Sequence, residues 1–181
     1  KTNEKEIKVP LKVFFCKDCK TVQLTETVNP KLLFSKYVWQ TSTSSSARNF
    51  SKTFYKEVSK RMFEKKGLVV EIASNDGTYL MPFSKNKKFN VIGVDPAKNI
   101  NKIAKKKFRI IDDFFGKKVT NQIINSNGKA NLIFARNVLA HVKSIHEIVE
   151  SIHQLLTDNG VAAIEFHYAK EIIDGNQYDS I

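Results

Sequence analysis

Hydrophobic and polar residues change period along the chain, and the changes divide it. After Gly67, short apolar runs at 68–72, 91–95, 108–111, 132–135 and 161–166 have the length of strands and end in polar or glycine-containing turns. The intervening stretches at 78–84, 97–107, 117–125 and 145–156 carry helical spacing. Alternation of this kind predicts parallel strand–helix–strand units and an α/β fold. Before it, Phe50, Phe54, Val58 and Met62 recur every four positions, which predicts an amphipathic helix over 50–63 leading into the sheet. Ser144 and Glu147 have the spacing of a capping box for the last helix, and Asn159 and Gly160 are expected to close it. The first forty residues differ. Two short strand candidates at 12–15 and 21–24 flank a cysteine pair, as in a small zinc-ribbon-like hairpin. The hydroxyl run Thr41 to Ser46 reads as a flexible linker or as an ordered loop over a site, and composition favours the linker. The expected units are a partial zinc-binding module at 1–40, a linker loop and helix at 41–66, and an α/β domain at 67–181.

Composition narrows the function classes. A length of 181 residues with 41% hydrophobic content suits one principal domain with a real core. The apolar runs fall far short of the roughly 18–20 residues of a membrane span. The polar start at Lys1 to Lys8 has no apolar leader region, so a cytoplasmic location is expected. The chain begins at Lys1 and stops at Ile181 without a terminal element, as expected of a piece cut short at both ends. Cys16 and Cys19 are the only cysteines, too close together for a disulfide framework and better suited to metal. A net charge of +12 could serve a polyanionic partner, but the lysines are dispersed as on a solvated surface.

The chemistry concentrates in Val70-Glu71-Ile72-Ala73-Ser74-Asn75-Asp76-Gly77, an apolar strand running into a polar loop that opens a helix. Such a loop lies at the carboxyl edge of a doubly wound sheet, where ligands bind. Asp95 ends the next strand nineteen residues after Asp76, placed to accept hydrogen bonds from ribose hydroxyls. The loop holds a single glycine where a dinucleotide fingerprint requires three. Its carboxylates would repel a pyrophosphate and suit a ligand bearing an ammonium and a sulfonium, which favours S-adenosylmethionine over NAD.

These segments resemble the S-adenosylmethionine-dependent C-methyltransferases that act on nucleotide-linked deoxy-keto-sugars and carry an N-terminal zinc-binding domain. The resemblance rests on Phe15-Cys16-Lys17-Asp18-Cys19 with Val22-Gln23-Leu24, on Leu33-Phe34-Ser35-Lys36-Tyr37 and the serine run, and on the Glu71 to Gly77 loop. It continues through Gly93-Val94-Asp95-Pro96, Asp113-Phe114-Phe115 and Arg136-Asn137-Val138-Leu139-Ala140-His141-Val142. It implies a Rossmann-like class I methyltransferase fold with a mostly parallel sheet, preceded by part of the zinc-ribbon-like module. Glu71, Ser74, Asn75, Asp76 and Gly77 would hold the methionine part, Asp95 and Pro96 the ribose and adenine edge, and Asp113 with Phe114 the adenine. Asn137 and Val138 would line the methyl-donor pocket. Phe115 suits adenine stacking or core packing equally. Tyr37 and Trp39 match an aromatic pair whose following serine run is expected to fold over the cofactor.

A carbon acceptor beside a ketone must lose a proton, and histidine is the natural base. His141 matches the family's Asn-Val-x-Ala-His segment and is the first catalytic candidate, with His167, Tyr168 and Tyr37 as substrate-binding candidates. Cys16 and Cys19 correspond to half of a zinc site. Structural Zn²⁺ needs four ligands, so none is expected to bind stably to this chain, although it belongs to the full protein. The family continues past Asp179-Ser180-Ile181 into further catalytic groups. This chain departs from the family at Ala73, usually glycine, and near Asn49, usually histidine. Competing readings are a zinc-ribbon protein that binds or methylates nucleic acid, and a non-catalytic cofactor-binding fold.

Overall fold

The protein is described by a computed structural model over residues 8–177; most of the polar start and Asp179-Ser180-Ile181 lie outside them. The five apolar runs become five parallel strands: β3 (Gly67–Ile72), β4 (Phe89–Val94), β5 (Arg109–Ile111), β6 (Ala130–Arg136) and β7 (Leu156–Glu165). Their order across the sheet is β5-β4-β3-β6-β7. The strand order therefore reverses at β3, with the next strand in sequence on one side and β6 on the other. A crevice opens at the carboxyl end of such a switch point.

The runs are continuous rather than alternating because both faces are covered. On one face Val70 and Ile72 pack with Val119 and Ile123 of α5 (Lys117–Asn127) and Ile152 and Leu155 of α6 (Ile145–Leu155). On the other, Val69 and Phe134 meet Val58 of α2 (Ser45–Arg61), Leu80 and Phe83 of α3 (Leu80–Ser84) and Ala104 of α4 (Lys98–Ala104). Side chains alternate between faces, so Glu71 falls on the α2 side, two residues beyond Val69. An antiparallel hairpin, β1 (Val13–Phe15) with β2 (Val22–Leu24), carries the cysteines, and α1 (Pro30–Phe34) follows it. A short helix α7 (Ala169–Asp174) follows β7. Among the described residues no helix is long and apolar enough to cross a membrane.

Several boundaries differ from the sequence reading. The serine run is ordered rather than a flexible linker: Thr41–Thr43 form a 3-10 turn and α2 starts at Ser45, because the Ser44 hydroxyl accepts the Ala47 amide at 3.2 Å. Ser144 does precede α6, but its hydroxyl makes no capping bond. The helix ends at Leu155 and passes directly into β7, so Asn159 and Gly160 lie in the strand rather than at a helix end. The ladder is irregular there, stepping from the Ala130–Leu156 pair to Leu132–Val161, and a β-carbon on Gly160 would come within 3.0 Å of the Ala130 carbonyl. The glycine reflects close strand packing. Helix α1 was not foreseen, although Asn29 caps it and Pro30 opens it.

Gly77 fixes the turn into α3. Its φ is +79°, and a β-carbon would stand 2.4 Å from the Phe108 ring. Gly77→Ala is expected to destabilise the fold by about 2–4 kcal/mol, through left-handed strain and overpacking together. Thermal unfolding followed by circular dichroism checks this; an unchanged melting temperature contradicts it.

Candidate functional site

Three non-glycine residues take left-handed backbone conformations at the carboxyl edge of the sheet: Ala73 (φ 55°) and Asn75 (φ 50°) after β3, and Asn137 (φ 52°) after β6. Each costs about a kilocalorie per mole and persists where neighbouring structure enforces it, commonly at ligand sites. The value at Ala73 explains why a glycine suits that position. Between these two loops lies a pocket of about 970 Å³, a volume that fits a nucleoside-sized ligand with room beside it.

Glu71 forms its floor. It is 4% exposed, and its Oε2 has no hydrogen-bond partner. Burial pushes its pKa well above the carboxylate range; Arg136 opposes this, while Asp95 and Asp76 add to it. Asp95, at the end of the adjacent strand, is also buried, but each of its oxygens has a backbone donor: Asn75 at 2.8 Å and Ala97 at 2.7 Å. Burial raises its pKa and those two amides pull it back. Asp95 therefore locks the β3 loop to the start of α4 while still lining the pocket.

The segment from α1 to α2 crosses the mouth as a strap tied at three points. The Tyr37 amide donates to Asn99 Oδ1 at 3.0 Å, and Asn99 Nδ2 returns a bond to the Tyr37 carbonyl at 2.7 Å. Asn75 binds the strap twice, donating to the Trp39 carbonyl and accepting from the Thr41 amide, both at 3.0 Å. Asp76 accepts from the Ser42 amide at 2.8 Å. Left-handed Asn75 thus aims its side-chain amide at the strap. On the opposite wall, Phe34 of α1 lies 6.2 Å from the His141 ring.

His141 closes the 3-10 turn Leu139–His141 after β6 and faces the pocket beside His167, which follows β7. Although its ring reaches solvent, partial desolvation, followed by the nearby His167, holds its pKa below the ordinary imidazole value. It therefore stays neutral, with a lone pair free to accept a proton, to lower pH than a free histidine. The α5 side contributes Phe114 and Phe115. Both line the pocket, and Phe115 also belongs to the core.

Among the sequence candidates, Glu71, Asn75, Asp95, Pro96, Phe114, Asn137, Val138, His141, His167 and Tyr37 converge on this one pocket. The others stand behind or beside it. Ser74 is buried under Gly93, with its hydroxyl unpartnered, and Gly77 packs on Phe108. Asp76 is occupied by Ser42 and by Thr78, whose hydroxyl donates at 2.6 Å. Asp113 is paired with Lys118 at 2.7 Å, which lowers its pKa. Tyr168 is 64% exposed at the start of α7. Sequence reasoning missed Arg136, Glu165, Tyr79 and Phe50. Arg136 grips Glu165 through two bonds of 2.8 and 2.9 Å and lies 3.8 Å from the centroid of the Tyr79 ring. An arginine and a glutamate at the ends of two predicted neighbouring strands were the available signal.

Cys16 and Cys19 sit at the turn of the β1–β2 hairpin. Cys19 donates to the Thr21 hydroxyl at 3.2 Å, and hydrogen bonds from Thr21 and then Cys16 lower its pKa. The two thiols fit half of a four-ligand zinc site; among the described residues no group of three or more His, Cys, Asp or Glu side chains comes together as a metal site.

Glu71 should weaken the unoccupied fold. Because its folded pKa lies above the unfolded value of about 4.3, the folded state retains a proton that the unfolded chain has released, and stability falls as pH rises above that value. Glu71→Gln removes this penalty. The variant is expected to melt several degrees higher than the parent at about pH 8, with the advantage vanishing near pH 4. An equal or lower melting temperature at pH 8 contradicts the burial argument.

A family model described as "Methyltransferase domain" matches residues 47–178, and one described as "Putative zinc binding domain" matches residues 1–34. The C-methyltransferase NovU of Streptomyces niveus is 31% identical over 174 residues, which cover 95% of this chain and 41% of that protein. This chain thus spans less than half the length of that relative. Among solved structures, the plantazolicin methyltransferase BamL in complex with a triazolic desmethylPZN analogue and SAH is similar at a TM-score of 0.59 and 22% identity, covering 74% of this chain and 51% of that one. The PH0226 protein of Pyrococcus horikoshii OT3 is similar at a TM-score of 0.60 and 15% identity, covering 82% and 70%. These likenesses show the mostly parallel, Rossmann-like fold. With one model spanning most of its length, the chain belongs to the methyltransferase-domain family.

Proposed function

We propose that the chain is the cofactor-binding part of an S-adenosylmethionine-dependent C-methyltransferase whose acceptor is a nucleotide-linked keto-sugar. The observation that carries the reading is the unpartnered, buried Oε2 of Glu71 on the floor of a pocket that Asp95 flanks. A buried carboxylate without a donor calls for a cationic ligand group, and the α-ammonium of the cofactor's methionine part is one. Asp95, with a lone pair left on each oxygen, suits ribose hydroxyls, and Phe114 offers a ring for adenine to stack on. When bound, S-adenosylmethionine supplies an electrophilic methyl group on a sulfonium.

The chain's own residues align and exclude. The strap shields the pocket mouth, and holding the reactants in line accounts for much of the acceleration in a displacement of this kind. His141, neutral at physiological pH, takes the proton from the carbon next to the acceptor's ketone, with His167 beside it. The name of the relative NovU supports transfer to carbon. The keto-sugar rests on the motif resemblance, and a cytoplasmic setting suits a nucleotide-linked acceptor. In the longer protein the acid limb of kcat/KM is expected below about pH 6.5, and an acid limb above that value removes His141 as the base.

Calorimetric titration with S-adenosylhomocysteine, beside NAD, tests the cofactor reading. Micromolar affinity is expected, weakened about tenfold or more by Glu71→Gln, with no NAD binding. A folded chain that binds neither ligand overturns the reading, and salt-sensitive RNA binding would then favour the nucleic-acid alternative.

A further inference from the structure

Arg136 ends β6 on the same sheet face as Glu71, whose partner in the ladder is Phe134, two residues earlier. The two opposite charges could have met. Instead the guanidinium forks onto Glu165 of the next strand through Nε and Nη2, leaving Glu71 Oε2 with no donor. The Tyr79 ring at 3.8 Å and the Phe50 ring at 5.3 Å hold the guanidinium in place, and the side chain remains 21% exposed. Nη1 takes no part in the fork, and Arg136 lines the pocket together with Glu71. One end of the pocket thus offers an unpaired acceptor and a guanidinium whose Nη1 lies outside the fork, side by side but not joined. That is the complement of an ammonium and a carboxylate carried on one carbon.

We infer that Arg136 is a specificity-determining residue: with Glu71 it receives the zwitterionic amino-acid end of the ligand, and Glu165 is the positioning residue that keeps the guanidinium available. This rests on the cofactor reading above. The bidentate fork explains why the pair does not collapse, since moving Arg136 onto Glu71 would break two charge-assisted bonds and two ring contacts. It also predicts selection between ligands that share the adenosyl thioether and differ only in the amino-acid end.

The test compares S-adenosylhomocysteine with 5′-methylthioadenosine, which lacks that end, by calorimetry on the chain and its variants. The parent is expected to prefer S-adenosylhomocysteine by about tenfold or more. Arg136→Gln should cost about tenfold or more for S-adenosylhomocysteine and less than about threefold for methylthioadenosine, erasing the preference. Glu165→Gln leaves the Arg136 charge in place but neutralises its partner and loosens the fork, so it should reduce the preference by a smaller factor; it serves as the readout if Arg136→Gln does not fold. If Arg136 is only a staple between α2 and the sheet, both ligands weaken in parallel and the preference survives, which overturns the inference while leaving the cofactor site intact. A parent that binds neither ligand overturns the underlying reading itself.

Discussion

The carboxylate of Glu71 sits where the strand order reverses, buried on the sheet face that α2 covers, with one oxygen unpaired. Leaving a buried acceptor unmet costs on the order of 1–3 kcal/mol, more if it is charged. The surrounding residues do not relieve it. Asp95 and Asp76 add negative charge nearby, and Arg136 is held by Glu165 instead. On the proposed reading, this leaves Glu71 available to a ligand, and the fold bears the cost in the ligand's absence.

The neighbouring interactions follow from that constraint. Asp95 spends its first hydrogen bonds on the backbone of Asn75 and Ala97, fixing the loop that carries Glu71's neighbours. Asn75 and Asp76, on the same loop, hold the strap over the opening, and Asn99 ties its other end to α4. A loop strained at Ala73 and Asn75 and a second strained at Asn137 therefore face each other across one pocket. Each is held by bonds to a different element, which is how a fold sustains unfavourable backbone at a binding site.

Much of this was legible in the sequence, for physical reasons. Strands buried on both faces must be continuous apolar runs, so β3, β4 and β6 stood out, and the acids that end the first two marked the ligand edge. Helix ends were less legible. Asn159-Gly160 has the chemistry of a helix stop, but here the glycine serves a ladder irregularity, and local sequence does not distinguish close packing from a turn. Of the Arg136–Glu165–Tyr79–Phe50 assembly only the arginine and glutamate at two strand ends gave a signal, because its members lie far apart in the chain and meet only after the sheet forms. Asp76 shows how a motif position can also serve the loop itself, since its carboxylate is bonded to Ser42 and Thr78.

The central claim is that Glu71 is left buried and unpaired for a cationic ligand group, which on binding draws its raised pKa back down. Difference infrared spectroscopy across a pH series, comparing the chain before and after saturation with S-adenosylhomocysteine, reads this directly. The account predicts that the Glu71 protonated-carboxyl band gives way to carboxylate at lower pH in the bound chain than in the free one, a shift missing in Glu71→Gln. A ligand that binds while the titration of the Glu71 carboxyl stays unchanged would contradict it.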